Sequence, residues 1–171
     1  MSDICTLFCT AVERIIAVMI RDDQVARLMG AGALALLLGA LGCQYFAHLA
    51  PCEMCHWQRW PYIAAAIIGL VLVSFRKKDL RPLAKLTIAL VALSGLIGAY
   101  QTGMQMGILP GPGACTVDHA YVMGSGAPSP EISCNAVTWS LFGLSLAAYN
   151  MIFSFVIAAT GALLLSRKHA A

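Results

Sequence analysis

Residues 28–49 read "LMGAGALALLLGALGCQYFAHL", a run without a single Lys, Arg, Asp or Glu. A helix rises about 1.5 Å per residue and needs about 20 apolar residues to cross the hydrocarbon core of a bilayer, so this run alone is long enough. Three more runs follow at 60–75, 83–109 and 137–165, and their only charged residue is Lys85, near the start of the third. The 171-residue chain is 60% hydrophobic and 11% charged, with a mean hydropathy of +0.79. A water-soluble domain carries about 25% charged residues, and four lipid-facing segments explain the shortfall. Inside lipid the backbone must satisfy its own polar groups, so each run is read as a helix. The expected fold is all-α: a membrane four-helix bundle over 28–166 with two external cysteine-bearing loops. Gly30, Gly32, Gly39 and Gly42 in the first span, and Gly95 and Gly98 in the third, are assigned to close helix approach.

Charge sets the expected orientation. Of the 11 basic residues, Arg14, Arg21 and Arg27 precede the first span, and Arg76, Lys77, Lys78, Arg81 and Lys85 lie in or beside the link between the second and third. Arg167 and Lys168 follow the fourth span, which leaves Arg59 as the sole basic residue on the other side. By the positive-inside rule, both termini and the "RKKDLRPLAK" link are cytoplasmic. The net charge of +3 then reflects topology, and nucleic acid is not an expected partner. Residues 1–27 form an expected cytoplasmic or interfacial segment, amphipathic because Glu13 and Arg14 interrupt its apolar positions. Cys5 and Cys9 are read there as reduced thiols on one helical face, and 167–171 as a cytoplasmic tail. No basic start runs directly into an apolar core, so no cleaved signal peptide is expected.

Cysteine placement narrows the chemistry. Cys43 falls within the first span and is read as a small core residue. Cys52 and Cys55 occupy the first outer loop, "PCEMCHWQRW", while Cys115 and Cys134 bracket much of the second, a Gly- and Pro-rich stretch of about 27 residues. Both pairs face a compartment in which disulfides persist, and four cysteines leave three connectivities open. Cys-X-X-Cys closes too small a loop to be an effective structural staple. Cys55 is expected at the start of the second helix, where the helix dipole favours a thiolate. Arg59, four residues on, shares its face. The bland readings are a four-cysteine zinc site for the cysteines and a snorkelling residue for Arg59. Against zinc, Cys115 and Cys134 lack the short spacing of a second half-site. An isolated charge at a membrane edge is by default a functional-site candidate.

"PCEMCHWQRWPY", "GPGACT" and "SCNAVTWSLFGLSLAAYN" together resemble the disulfide bond formation protein B (DsbB) family, in order, over nearly all of 28–166. The resemblance implies a bacterial inner-membrane thiol:quinone oxidoreductase. Such an enzyme reoxidises a periplasmic DsbA-like dithiol oxidase and passes the electrons to the membrane quinone pool, ubiquinone or menaquinone, in support of protein disulfide bond formation. It implies that Cys52 and Cys55 are the quinone-coupled pair, that Arg59 is the quinone-site arginine, and that Cys115 and Cys134 exchange with the soluble partner. Many relatives carry a histidine and a glutamate near the outer end of the third helix, where this chain has Gln101 and Gln105. Amides there can donate to a quinone oxygen but supply no titrating proton.

Trp57, Trp60, Tyr62 and Trp139 are expected to form an aromatic belt at the outer interface, some of them walling a quinone ring. His48 and His56 are read as interfacial, and His119 and Tyr121 as part of a short surface helix. No metal is expected. The rival reading is a non-enzymatic membrane protein, contacting lipid, with structural disulfides or a zinc site in its outer loops.

Overall fold

The computed structural model describes residues 21–75, 80–112 and 133–167. Cys5, Cys9, Cys115, His119, Tyr121, most of the basic link and the tail lie outside the described residues. Among the described residues, four helices are long and apolar enough to cross a membrane: Asp22–Tyr45 (α1), Glu53–Phe75 (α2), Arg81–Gln105 (α3), and a last one whose membrane-crossing part is Leu146–Ser166 (α4, Leu146–Arg167). Their outward faces stay apolar, with Leu38, Leu96, Val156 and Leu163 each more than half exposed, one from each of α1 and α3 and two from α4. Such faces suit hydrocarbon as the surrounding medium.

The helices do not start and stop where the apolar runs do. α1 starts at Asp22 rather than near residue 28, with Asp22 and Asp23 in its first turn, where acidic groups complement the helix dipole. α2 takes in the whole cysteine motif from Glu53 and continues through Pro61 and a π-helical segment, Ile67–Leu72. α3 has proline in its first turn and ends at Gln105, short of residue 109. The fourth run departs furthest: its first residues do not enter α4. Ser140–Leu141 (β1) and Leu144–Ser145 (β2) instead pair as a two-stranded hairpin, with Ser140 opposite Ser145 and Leu141 opposite Leu144. Phe142 and Gly143 at its tip have φ values of 51° and 78°, the left-handed pair that a two-residue hairpin turn demands. Ser145 then caps α4 by accepting the Ala148 N–H at 3.2 Å.

Three buried layers stack along the bundle. Val25, Ala26, Met29, Val73, Ala84 and Leu165 form one end. Ala33, Tyr62, Ala65, Val91 and Ala158 form the middle. Cys52, Met54, Met104 and Cys134 form the other end, with Cys55 and Ile97 packed against them. Small residues let the backbones approach closely. At the tightest point a Cβ on Gly69 would lie 2.3 Å from the Ala26 carbonyl oxygen and 2.8 Å from Gly30 Cα. Gly30, Gly32, Gly95 and Gly98 pack as expected, whereas Gly39 has nothing within 4 Å of its added Cβ and Gly42 meets only Phe46 at 4.0 Å.

Candidate active site

Helix capping builds the cysteine pair. Cys52 is the N-cap of α2, and its sulfur accepts the Cys55 backbone N–H at 3.4 Å. N-cap and third helical residue are the positions whose side chains meet in a capping box, so Cys-X-X-Cys at a helix start puts its two sulfurs together. Here Cys52 Sγ and Cys55 Sγ are 2.9 Å apart, both free thiols. The Cys52 thiol is held well above its ordinary range, first by its hydrogen bond to Cys55 and then by burial. Cys52 therefore keeps its proton and shares it with Cys55.

Beside the pair lies a cleft of about 770 Å³, counting its open mouth. Cys52, Cys55, Arg59, Gln101, Gln105 and Trp139 are among its walls. Arg59 follows Cys55 by one turn of α2, and both line the cleft. Three polar atoms of the cleft, Arg59 Nε, Gln44 Oε1 and Gln105 Oε1, are buried without a hydrogen-bond partner among the described residues. Orphaned buried groups are costly, so one donor and two acceptors left unpaired in this wall mark a place for a ligand with polar edges.

The two glutamines of α3 differ in what they can offer such a ligand. Gln101 is 3% exposed, and its Nε2 turns to the sulfurs, 3.1 Å from Cys52 Sγ and 3.8 Å from Cys55 Sγ. Its Oε1 accepts from Gln58 Nε2 at 2.6 Å, so both ends of the amide are engaged. Gln105 reaches only the Ala136 carbonyl, at 3.5 Å, and its oxygen is free for the cleft.

Cys134 is disulfide-bonded, to none of Cys43, Cys52 or Cys55, which are free. It was expected in an accessible loop, yet it is 1% exposed and packs in the same layer as Cys52. The turn around it, closed by Ala136 N–H onto the Ser133 carbonyl at 3.1 Å, lays this sulfur against the bundle. Cys43 is half-buried and lines the cleft rather than the core. Tyr62 is no belt residue: it is 2% exposed and hydrogen-bonds Asn150 and Ser154. Trp57, Trp60 and Trp139 do face outward. Gln58, Asn150 and Gln44 were missed as site residues. Gln58 carried the one available signal, an amide inside the motif next to Arg59.

The family model described as "Disulfide bond formation protein DsbB" matches residues 22–164. Among curated proteins, the chain is 27% identical over 156 residues to "Disulfide bond formation protein B" of Aromatoleum aromaticum, covering 83% of this chain and 93% of that one. It is 31% identical over 150 residues to the protein of the same name from Dechloromonas aromatica, covering 82% and 90%. No solved structure matches at comparable significance. Since the family match takes in all four helices, the cysteine motif and Cys134 alike, the chain belongs to the disulfide bond formation protein B (DsbB) family.

Proposed function

We propose that this member of a family of disulfide-forming oxidoreductases takes electrons from a periplasmic DsbA-like dithiol and delivers them to a membrane quinone. The observation that carries the reading is the burial of oxidised Cys134 in one layer with the free Cys52/Cys55 pair. A buried sulfur is closed to another protein's thiol but well placed for exchange inside the molecule. The partner thiolate therefore attacks the Cys115 side of a Cys115/Cys134 disulfide, and Cys134 leaves as a thiolate. Resolution by the partner's second thiol releases it as a disulfide. Cys134 then attacks Cys52 of the oxidised motif, Cys55 leaves, and Cys115 resolves the bond to Cys134. Each exchange moves two electrons and conserves sulfur bonds.

A quinone, when bound, supplies a two-electron, two-proton acceptor. The cleft residues fit such a group. Arg59 Nε offers a charged donor to a quinone oxygen, the Gln44 and Gln105 oxygens could accept only from the hydroxyls of the reduced quinol, and Trp139 and Leu146 offer apolar wall. Arg59 would hold Cys55 as thiolate and stabilise negative charge at the ligand oxygen, as oxyanion-hole donors do. Cys52 holds the second proton until the motif disulfide re-forms.

The test is quinone reduction by purified protein given a reduced dithiol partner. Cys55→Ser should abolish it while leaving the loop cysteines able to exchange with the partner. Normal quinone reduction by Cys55→Ser would refute the assignment, and stoichiometric zinc in the wild-type protein would favour a structural site.

A further inference from the structure

Three amides and a tyrosine stand in file from the cysteine motif into the bundle. Gln101 Nε2 donates to Cys52 Sγ at 3.1 Å, and Gln101 Oε1 accepts from Gln58 Nε2 at 2.6 Å. Gln58 Oε1 accepts from Asn150 Nδ2 at 2.9 Å, and Asn150 Oδ1 accepts from the Tyr62 hydroxyl. Gln58, Gln101 and Tyr62 are each less than a tenth exposed. An amide has a donor end and an acceptor end, and a buried pair of glutamines on its own could reverse with no loss of bonding. A fixed reference stops that here. Asn150 Nδ2 also faces the Ser94 backbone carbonyl at 3.4 Å, and a carbonyl can only accept. With the nitrogen of Asn150 so directed, Gln58 must present its oxygen to Asn150 and its nitrogen to Gln101. Gln101 is then left with its N–H bonds toward the sulfurs. Gly98 belongs to the same arrangement, because a Cβ there would lie 3.0 Å from Asn150 Nδ2.

We propose that Asn150 and Gln58 are positioning residues, which through this chain hold Gln101 as a fixed, non-titrating hydrogen-bond donor to the Cys52/Cys55 pair. The proposal rests on the reading of that pair as redox-active. Gln101 Nε2 lies 3.1 Å from Cys52, which keeps its proton, and 3.8 Å from Cys55; a donor shared over this proton-sharing reduced pair stabilises it more than the disulfide, whose sulfurs are weak acceptors. The chain therefore favours the reduced motif and makes its disulfide the stronger oxidant toward Cys134. No bond is made or broken by Asn150 or Gln58; they act on the equilibrium of the pair.

The test uses full-length purified protein, freed of quinone, in glutathione buffers of graded ratio. The reduced fraction of the Cys52/Cys55 peptide is read by alkylation and mass spectrometry. Asn150→Leu should move the equilibrium toward the disulfide by roughly tenfold, the scale of one hydrogen bond to a charged group. Gln58→Met breaks the chain one link nearer and carries the same expectation should Asn150→Leu fail to fold. Added to Gln101→Leu, Asn150→Leu should shift nothing further, since coupled residues do not act additively. Ser154→Ala removes buried hydrogen bonds to Tyr62 and to the Asn150 backbone carbonyl but leaves the Ser94 reference at the Asn150 side chain, and should stay within about twofold of wild type. Unchanged equilibria in both chain variants, an equal shift on the Gln101→Leu background, or an equal shift from Ser154→Ala would each overturn the proposal. A wild-type motif that forms no disulfide in any buffer would sink the redox reading itself, and the proposal with it.

Discussion

Arg59 is half-buried at the cleft wall, its Nε without a partner among the described residues. A charge-assisted contact to a thiolate or a quinone oxygen is typically worth about 1.5–3 kcal/mol. Arg59→Ala should therefore raise the apparent KM for quinone by roughly one to two orders of magnitude and slow alkylation of Cys55 at neutral pH. Arg59→Lys restores the charge without the planar donor fork and should fall between the two. Unaltered quinone kinetics in Arg59→Ala would return the residue to a snorkelling role. Cys134 supplies a second case. In Cys134→Ser, Cys115 is a lone thiol that attacks an oxidised partner, and Cys134 is absent to displace the partner's sulfur from it, so a mixed disulfide with that oxidised partner should accumulate on non-reducing gels. At this scale the sequence was readable where chemistry is local: Cys52, Cys55 and Arg59 sit three and four apart on one helix start. Gln58, Gln101 and Asn150 were opaque as a group because their bonds join positions 43 and 92 residues apart. A single sequence carries no register between helices to reveal such pairings.

Each of the four apolar runs gave a helix, because a backbone in lipid has no cheaper way to satisfy its polar groups. Their ends were misjudged for a related reason. Hydropathy marks where the hydrocarbon lies, whereas helix ends follow caps and turns: Cys52 opens α2 ahead of its apolar run, and Gly143 at φ 78° diverts the start of the fourth run into a hairpin. Glycines show the same limit. Gly30 and Gly39 stand in one apolar helix and look alike in sequence, but only Gly30 meets a neighbouring backbone. The contact between α1 and α2 is narrowest at Gly69, where an added Cβ would lie 2.3 Å from the Ala26 oxygen. Backbone cannot yield as a flexible side chain can. Gly69→Ala should cost about 1–3 kcal/mol of stability, the usual penalty of overpacking, seen as a lower Tm in detergent. Gly39→Ala, with open space around it, should be neutral or stabilise by a few tenths of a kcal/mol through helix propensity. Equal effects of the two would mean that close approach at Gly69 does not hold α1 and α2 together.

Over the whole molecule, redox chemistry and basic charge occupy opposite ends. Cys52, Cys55 and Cys134 share one terminal layer, while Arg81 and Lys85 line a pocket with Ile88, Leu165 and Ser166 at the start of α3 and the end of α4. Among the described residues four spans connect the two ends, so the start of α1 and the end of α4 both lie at the basic end. In the sequence, ten of the 11 basic residues belong to the segments that adjoin that end, with Arg59 the exception. Lys and Arg are retained in the cytoplasm during insertion; we therefore propose that the cysteine end faces the periplasm, a compartment in which disulfides survive. In intact cells treated with a mild reductant, a membrane-impermeant thiol reagent should modify Cys115, and Cys55 through the mouth of the cleft. Cys5 and Cys9 should react only after the membrane is permeabilised. Cys52 and Cys134, at 5% and 1% exposure, should lag behind both. The converse pattern, with Cys5 and Cys9 labelled from outside and the loop cysteines protected, would place Arg59 and the cleft in the cytosol. A reducing cytosol would leave the relay no oxidised pair to pass on, so orientation and mechanism stand or fall together in this one measurement.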